Sequence, residues 1–174
     1  EWPTSHVPIG EGRLVRDGQD VLIVTWANGL FLSLRAARRL AAEGVSCRVF
    51  DLRWLAPMPI EQVLAHADEL GRVLVVDETR RSGGVGEGVI AGLVEAGYSG
   101  NIARVAADDS FIPLGDAANL VLVSEHDIVA AALAMARRPA QPALSWEPPS
   151  PRPSAAGYTD PGLPPSTPST LWQR

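Results

Sequence analysis

The sequence predicts an α/β fold with a mostly parallel sheet covered by helices on both faces. Three observations lead there. Short β-branched apolar runs recur along the first 138 residues, as strands buried on both faces require. Segments with helical spacing of apolar residues separate those runs. Glycine, proline and capping residues punctuate the changes of period. Strand–helix alternation of this kind implies right-handed crossovers and a three-layer α/β/α arrangement.

Arg13-Leu-Val-Arg16 reads as a short first strand followed by the turn signal Asp17-Gly18. Local turn rules pair it as a hairpin with the next strand, whereas its alternating charge also suits an edge position away from that strand. Val21-Leu-Ile-Val-Thr-Trp26 is a fully buried strand. The helix after it places Leu30, Leu34, Ala37 and Ala41 on one face, with Asn28 as its expected cap and Gly44 behind it. Val45-Ser-Cys-Arg-Val-Phe50 alternates more and suits a strand nearer an edge. A second helix follows Pro59, turning Ile60, Val63, Leu64 and Ala67 inward and stopping at Gly71. Val73-Leu-Val-Val76 is another buried strand. A third helix follows a glycine cluster, with Val85, Val89, Leu93 and Ala96 inward. Ile102-Ala-Arg-Val-Ala106 is a shorter strand, and a last helix opens at Ser124-Glu-His-Asp127, close to a capping box.

Proline marks the end of the folded part. Ten of the 15 prolines fall in residues 139–174, a Pro/Ser/Thr-rich stretch with neither helical nor strand period. Its composition predicts an extended or disordered tail that is inert, a reading favoured over Trp146 and Trp172 as short docking anchors. The expected organisation is a leading segment 1–12, a domain 13–138 and the tail 139–174. The start at Glu1 suggests a piece of a longer protein.

Composition excludes several chemistries. All 15 basic residues are arginine, so Schiff-base lysine and P-loop chemistry are absent from this chain. One cysteine makes no internal disulfide, and no Cys/His cluster has zinc spacing. A net charge of −5 with scattered arginines argues against nucleic-acid and anionic-membrane binding. Without a signal pattern, the expected location is the cytoplasm.

The most informative segment is Asp77-Glu-Thr-Arg-Arg-Ser-Gly-Gly-Val-Gly-Glu-Gly88, which joins a buried strand to a helix. Glu78, Arg80, Arg81, Gly83, Gly84 and Gly86 are the candidate interface or anion-binding residues. Two arginines beside backbone N–H groups at a helix start suit a phosphate or carboxylate. The glycine spacing lacks the dinucleotide fingerprint. A tight turn with close helix–sheet packing, and arginines pairing with Glu78 or a neighbouring chain, is the favoured reading. Asp51 and Arg53 read as an ion pair bracing a loop, and one of Asp108 and Asp109 as a loop-capping carboxylate. His6, His66 and His126 form no constellation, the last sitting where a helix dipole disfavours a cation. Cys47 reads as an inert core thiol. No nucleophile elbow is present, and no catalytic or metal-binding residue is expected.

Five segments in register resemble a known family. They are Val7–Trp26, Phe50-Asp-Leu-Arg-Trp-Leu-Ala-Pro-Met58, Val75-Val-Asp-Glu-Thr-Arg-Arg-Ser-Gly-Gly84, Asp109-Ser-Phe-Ile-Pro113 and Glu125-His-Asp-Ile128. Together they resemble the transketolase C-terminal-type domain, most closely that of the β subunit or β half of thiamine-diphosphate-dependent 2-oxoacid dehydrogenases, the E1 component. The resemblance implies a five-stranded sheet whose first strand lies antiparallel at an edge beside residues 45–50, against the hairpin reading. It implies that thiamine diphosphate and Mg²⁺ serve the complete enzyme in other domains and that this fragment binds neither. Gly115-Asp-Ala-Ala-Asn119 is a chance fragment of the diphosphate motif with the wrong spacing. The implied role is assembly of a homodimer or α2β2-type E1, with a docking surface for the E2 acyltransferase. The rival expectation is a free-standing phosphate- or nucleotide-binding module built on the Arg80–Gly86 loop.

Overall fold

The computed structural model describes residues 7–139. His6, Trp146, Trp172 and the expected tail from residue 140 onward lie outside the described residues. Five strands form one sheet: β1 (Arg13–Arg16), β2 (Val21–Thr25), β3 (Cys47–Asp51), β4 (Arg72–Arg80) and β5 (Asn101–Ala107). Four helices connect and cover them: α1 (Asn28–Ala42), α2 (Ile60–Leu70), α3 (Val85–Glu95) and α4 (Glu125–Ala136). A short 3₁₀ helix spans Gly115–Leu120.

The strand order is β1-β3-β2-β4-β5, parallel except for the β1–β3 pair. The first strand thus lies antiparallel beside β3, and the hairpin suggested by Asp17-Gly18 does not form. Gly18 serves a close approach instead, since a Cβ there would lie 2.3 Å from the Cys47 carbonyl carbon. The chain crosses the foot of β3, where Gln19 and Asp20 N–H both donate to the Ser46 carbonyl.

Alternation along the strands builds two cores. Val21, Ile23, Val49, Leu74 and Val76 face α1 and α4, together with Ile128, Ala132 and Met135. Leu22, Val24, Phe50, Val73 and Val75 face α2 and α3, with Val63, Ala67, Val89 and Leu93. Every residue of β2 is buried, which is why it reads as an unbroken apolar run. Residues Gly115–Ala136 have the length and apolar composition of a membrane span, but here they form the 3₁₀ helix, a break, and α4 packed on the core.

Three helix details differ from expectation. Asn28 does not cap α1: Ala27 holds the N-cap position at φ 50° without a side-chain bond, and the Asn28 amide donates instead to Glu78 Oε1 (2.6 Å). The inward face of α1 is Gly29, Ser33, Ala36, Ala37 and Leu40, leaving Ala41 exposed. Small residues there let the helix lie close to the sheet, and Leu30 and Leu34 pack at its flank. In α3, Ala96 is the exposed C-cap, so burial stops a turn earlier than its spacing suggests. By contrast, α4 opens on a full capping box between Ser124 and Asp127.

Arg48 of β3 is mostly buried and meets Asp17 (3.0 Å) and Glu69 on either side. It also donates to Nδ1 of His66 (3.2 Å), whose ring lies 5.3 Å from that of Phe50. Burial, then the Arg48 charge, hold the His66 pKa below its ordinary 6.5. The unfolded chain therefore binds the His66 proton first, so stability falls as pH drops below about 6.5. Urea unfolding from pH 7.5 to 5.5 should show this loss in the wild type and a shallower one in His66→Gln. An unchanged slope in the variant would remove His66 from the account.

Candidate functional site

The candidate segment begins where β4 leaves the core. Asp77 is fully buried, yet its carboxylate has three donors: Thr79 N–H (2.9 Å) and Thr79 hydroxyl (2.8 Å) on Oδ1, and Gly86 N–H (2.6 Å) on Oδ2. The bond to Gly86 ties the first turn of α3 to the strand, where a negative charge also meets the positive end of the helix dipole. Gly84 and Gly86 exist to permit this approach. A Cβ on Gly84 would lie 2.6 Å from Thr79 Oγ1 and 2.7 Å from the Arg80 carbonyl oxygen. One on Gly86 would lie 2.9 Å from Asp77 Oδ2.

The rest of the loop is fastened by carboxylates too. Asp109, beyond β5, accepts from Ser82 N–H (2.7 Å) and Ser82 hydroxyl (2.6 Å), and these bonds hold its carboxyl below the ordinary range. Gly83, at φ 70°, donates its N–H to Glu87 (3.1 Å). Three backbone donors an anion would need, on Ser82, Gly83 and Gly86, are thus already taken by side chains of this chain. Glu78 bonds Asn28 across the sheet, and no ion pair joins it to Arg80 or Arg81 among the described residues. Arg80 turns back to the Ser82 carbonyl (3.0 Å) and stays exposed. Arg81 is exposed beside Asp108, Arg104 and the segment leading into α4.

A cleft of about 690 Å³ opens between this loop and the segment after β5, lined by Arg80, Ser82, Gly83, Asp109, Ser110 and Phe111. Phe111 begins a stretch of exposed apolar side chains. Phe111 is 97% exposed, Leu114 96% and Leu120 81%, with Ile112 beside them. Large side chains gathered in water over one short stretch suit a contact surface. The unbroken run Phe111-Ile-Pro-Leu114, with no strand or helix period, is the signal that would have located it. Asp77 was legible likewise, because an acid two residues before threonine favours a side-chain-closed turn.

The remaining candidates lie elsewhere. Asp51 and Arg53 pair at 3.8 Å, and Asp51 also accepts from the Arg53 N–H (3.2 Å). Cys47 is buried in the core, which pushes its thiol up to about 12. His126 is exposed in the first turn of α4. Among the described residues no three His, Cys, Asp or Glu side chains converge as a metal site would require.

Residues 10–128 match the family model of the transketolase C-terminal domain. The chain is 34% identical over 126 residues to the pyruvate dehydrogenase E1 component subunit beta of Staphylococcus aureus (strain Mu50 / ATCC 700699), covering 71% of this chain and 39% of that protein. The subunit of the same name from Staphylococcus epidermidis is 35% identical over 126 residues, at the same coverage. The chain therefore spans about two-fifths of these curated relatives. Among solved structures, a split-gene transketolase described as an inactive beta4 tetramer has a TM-score of 0.70 at 29% identity, over 77% of this chain and 44% of that one. A 2-oxoglutarate:ferredoxin oxidoreductase from Magnetococcus marinus shares the fold at TM-score 0.52 and 20% identity, over 73% of this chain and 19% of that one.

One glycine of the loop and one just beyond it should respond with opposite signs. Gly84→Ala forces neighbours to move and should cost about 1–3 kcal/mol. Gly88→Ala, whose added Cβ finds only Met58 Cε at 3.8 Å, should stabilise α3 by up to about 1 kcal/mol. Asp77→Ala leaves buried donors unmatched and should cost about 1–3 kcal/mol. Urea unfolding of the three variants checks all of these.

Proposed function

Because the chain belongs to the transketolase C-terminal domain family, we propose that it is the association domain of a thiamine-diphosphate-dependent 2-oxoacid dehydrogenase E1 component. The complete enzyme decarboxylates pyruvate or a branched-chain 2-oxoacid in the cytoplasm, and this domain serves its assembly. The observation that carries the reading is the 34% identity to an E1 beta subunit across the folded part of the chain.

The residues do not fit thiamine diphosphate with its Mg²⁺. The carboxylates at the loop, Asp77 and Asp109, already accept from backbone N–H groups, and the described residues hold no converging ligand set. The cofactor accordingly belongs to other parts of the complete enzyme, and no catalytic step is assigned to this chain. What the chain supplies is a rigid surface. Asp77 and Asp109 clamp the loop from within, so Arg80 and Arg81 project outward without the loop having to order on contact. The exposed side chains Phe111, Ile112, Leu114 and Leu120 continue that surface beyond the cleft. The partner is a second copy or the α subunit of an α2β2-type E1, and the E2 acyltransferase docks on the assembled enzyme.

Inward-turned donors in the Arg80–Gly86 loop favour assembly over phosphate or nucleotide binding. Calorimetric titration of the chain with inorganic phosphate, nucleotides and thiamine diphosphate should show no micromolar binding. Light scattering should report an assembly larger than the monomer, weakened by Arg80→Glu with Arg81→Glu. With a 2-oxoacid, thiamine diphosphate and Mg²⁺, the isolated chain should give no turnover. Turnover by the chain alone, or an assembly indifferent to the double variant, would overturn the proposal.

A further inference from the structure

The strands β2 and β3 end level with each other, Thr25 opposite Asp51. The chain then leaves them for opposite faces of the sheet. After β2 it turns into α1, which packs on one core through Ala36, Ala37 and Leu40. After β3 it runs to α2, which closes the other core with Val63, Ala67 and Leu70. Loops that part in this way beyond the carboxyl ends of parallel strands leave a crevice, and open α/β sheets take ligands in such places. Here the crevice encloses about 400 Å³, toward the small end of ligand cavities. It shares no lining residue with the cleft between Arg80 and Phe111.

Its lining joins apolar walls to one accessible cation. Trp26, Leu30, Phe31 and Leu55 form the walls, and Arg53 and Asp51 supply the charge. Phe31 and Leu55 both leave large apolar surface in water. Arg53 Nη1 lies 3.8 Å from Asp51 Oδ2, an ion pair longer than a hydrogen bond. The Arg53 side chain is 46% exposed and that of Asp51 only 6%. The carboxylate is thus nearly shut off from water, whereas the guanidinium keeps donors for a ligand. Asp51 also accepts the Arg53 N–H (3.2 Å), which fixes the turn that presents this arginine. Among the described residues, Ala27 (φ 50°) and Arg53 (φ 60°) are the non-glycine residues with positive φ, and both line this cavity. That conformation costs free energy in L residues and collects at binding sites.

We propose that this crevice binds an organic monocarboxylate with an aromatic or branched apolar body. The carboxylate pairs with the Arg53 guanidinium through parallel N–H···O bonds, for which the planar fork of arginine is suited. The apolar body displaces water from Leu30, Phe31 and Leu55. A single negative charge is what the site can match. Arg53 is already partly balanced by Asp51, so a phosphate dianion would meet a carboxylate with no second cation to offset it. The site is independent of the assembly surface and of the complete enzyme's reaction.

Isothermal titration of the full chain with 3-phenylpropionate tests it, and saturable binding with a Kd of about 1 mM or tighter is expected. Arg53→Gln should weaken binding about tenfold or more. Arg53→Lys should recover only part of that loss, since an ammonium keeps the charge without the fork. Phe31→Ala, on the opposite wall, should weaken binding about threefold to tenfold. Arg137→Gln, at an exposed arginine behind α4, should keep the wild-type Kd. Each variant should keep the wild-type far-ultraviolet circular dichroism spectrum. Neither 3-phenylpropan-1-ol, which has the body without the charge, nor inorganic phosphate, which has charge without the body, should bind. No saturation by about 10 mM ligand, or equal affinity in wild type and Arg53→Gln, would overturn the site. Alcohol binding as tightly as the acid would reduce it to apolar adsorption, and phosphate competing with the acid would overturn the ligand class.

Discussion

A buried carboxylate holds the functional end of this domain together. Asp77 stands where β4 leaves the core and has no exposure to water, so its charge is tolerable only because three donors converge on it. Two of those donors lie two residues on and close the turn, and the third is the backbone of α3. The same contact therefore ends the buried part of the strand, shapes the loop and docks the next helix. Gly84 and Gly86 follow from it as a steric requirement, because any side chain there would occupy the space the carboxylate and Thr79 need.

Once the loop is tied from inside, its chemistry is set. The N–H groups that make a glycine-rich turn look like an anion cradle point at Asp77, Glu87 and Asp109. Arg80 and Arg81 are left outward, Arg80 on a cleft whose other wall is Asp109, Ser110 and Phe111, with exposed Ile112 and Leu114 following in the chain. A rigid cationic edge next to uncovered apolar side chains is suited to meeting another protein surface, where desolvated aromatics and arginines contribute most.

How far the residues announced this structure depended on the range of the interaction. The cap of α4 was legible, since Ser124 and Asp127 satisfy each other within one turn. The cap of α1 was not, because Asn28 spends its amide on Glu78, fifty residues away and across the sheet. The turn residues Asp17-Gly18 pointed locally to a hairpin. The glycine is needed instead for close contact with β3, which only the neighbouring strand's position reveals. In α1 the apolar spacing selected the leucines, whereas the sheet took the small residues, as close helix packing favours Gly, Ser and Ala over bulk.

By itself the sequence determined the α/β class, the number and order of the main elements, the two-faced burial of the central strands and the segments carrying the family resemblance. These depend on hydrophobic period and on residues close together in the chain. Tertiary structure alone decided that Ser82 faces Asp109, which way the arginines project and which apolar residues remain in water. The Ser82 bonds to Asp109 join residues 27 apart in the chain, and Thr25 reaches the Val76 carbonyl across 51. Period and local turn chemistry carry no information about such pairings until the sheet has brought the partners together.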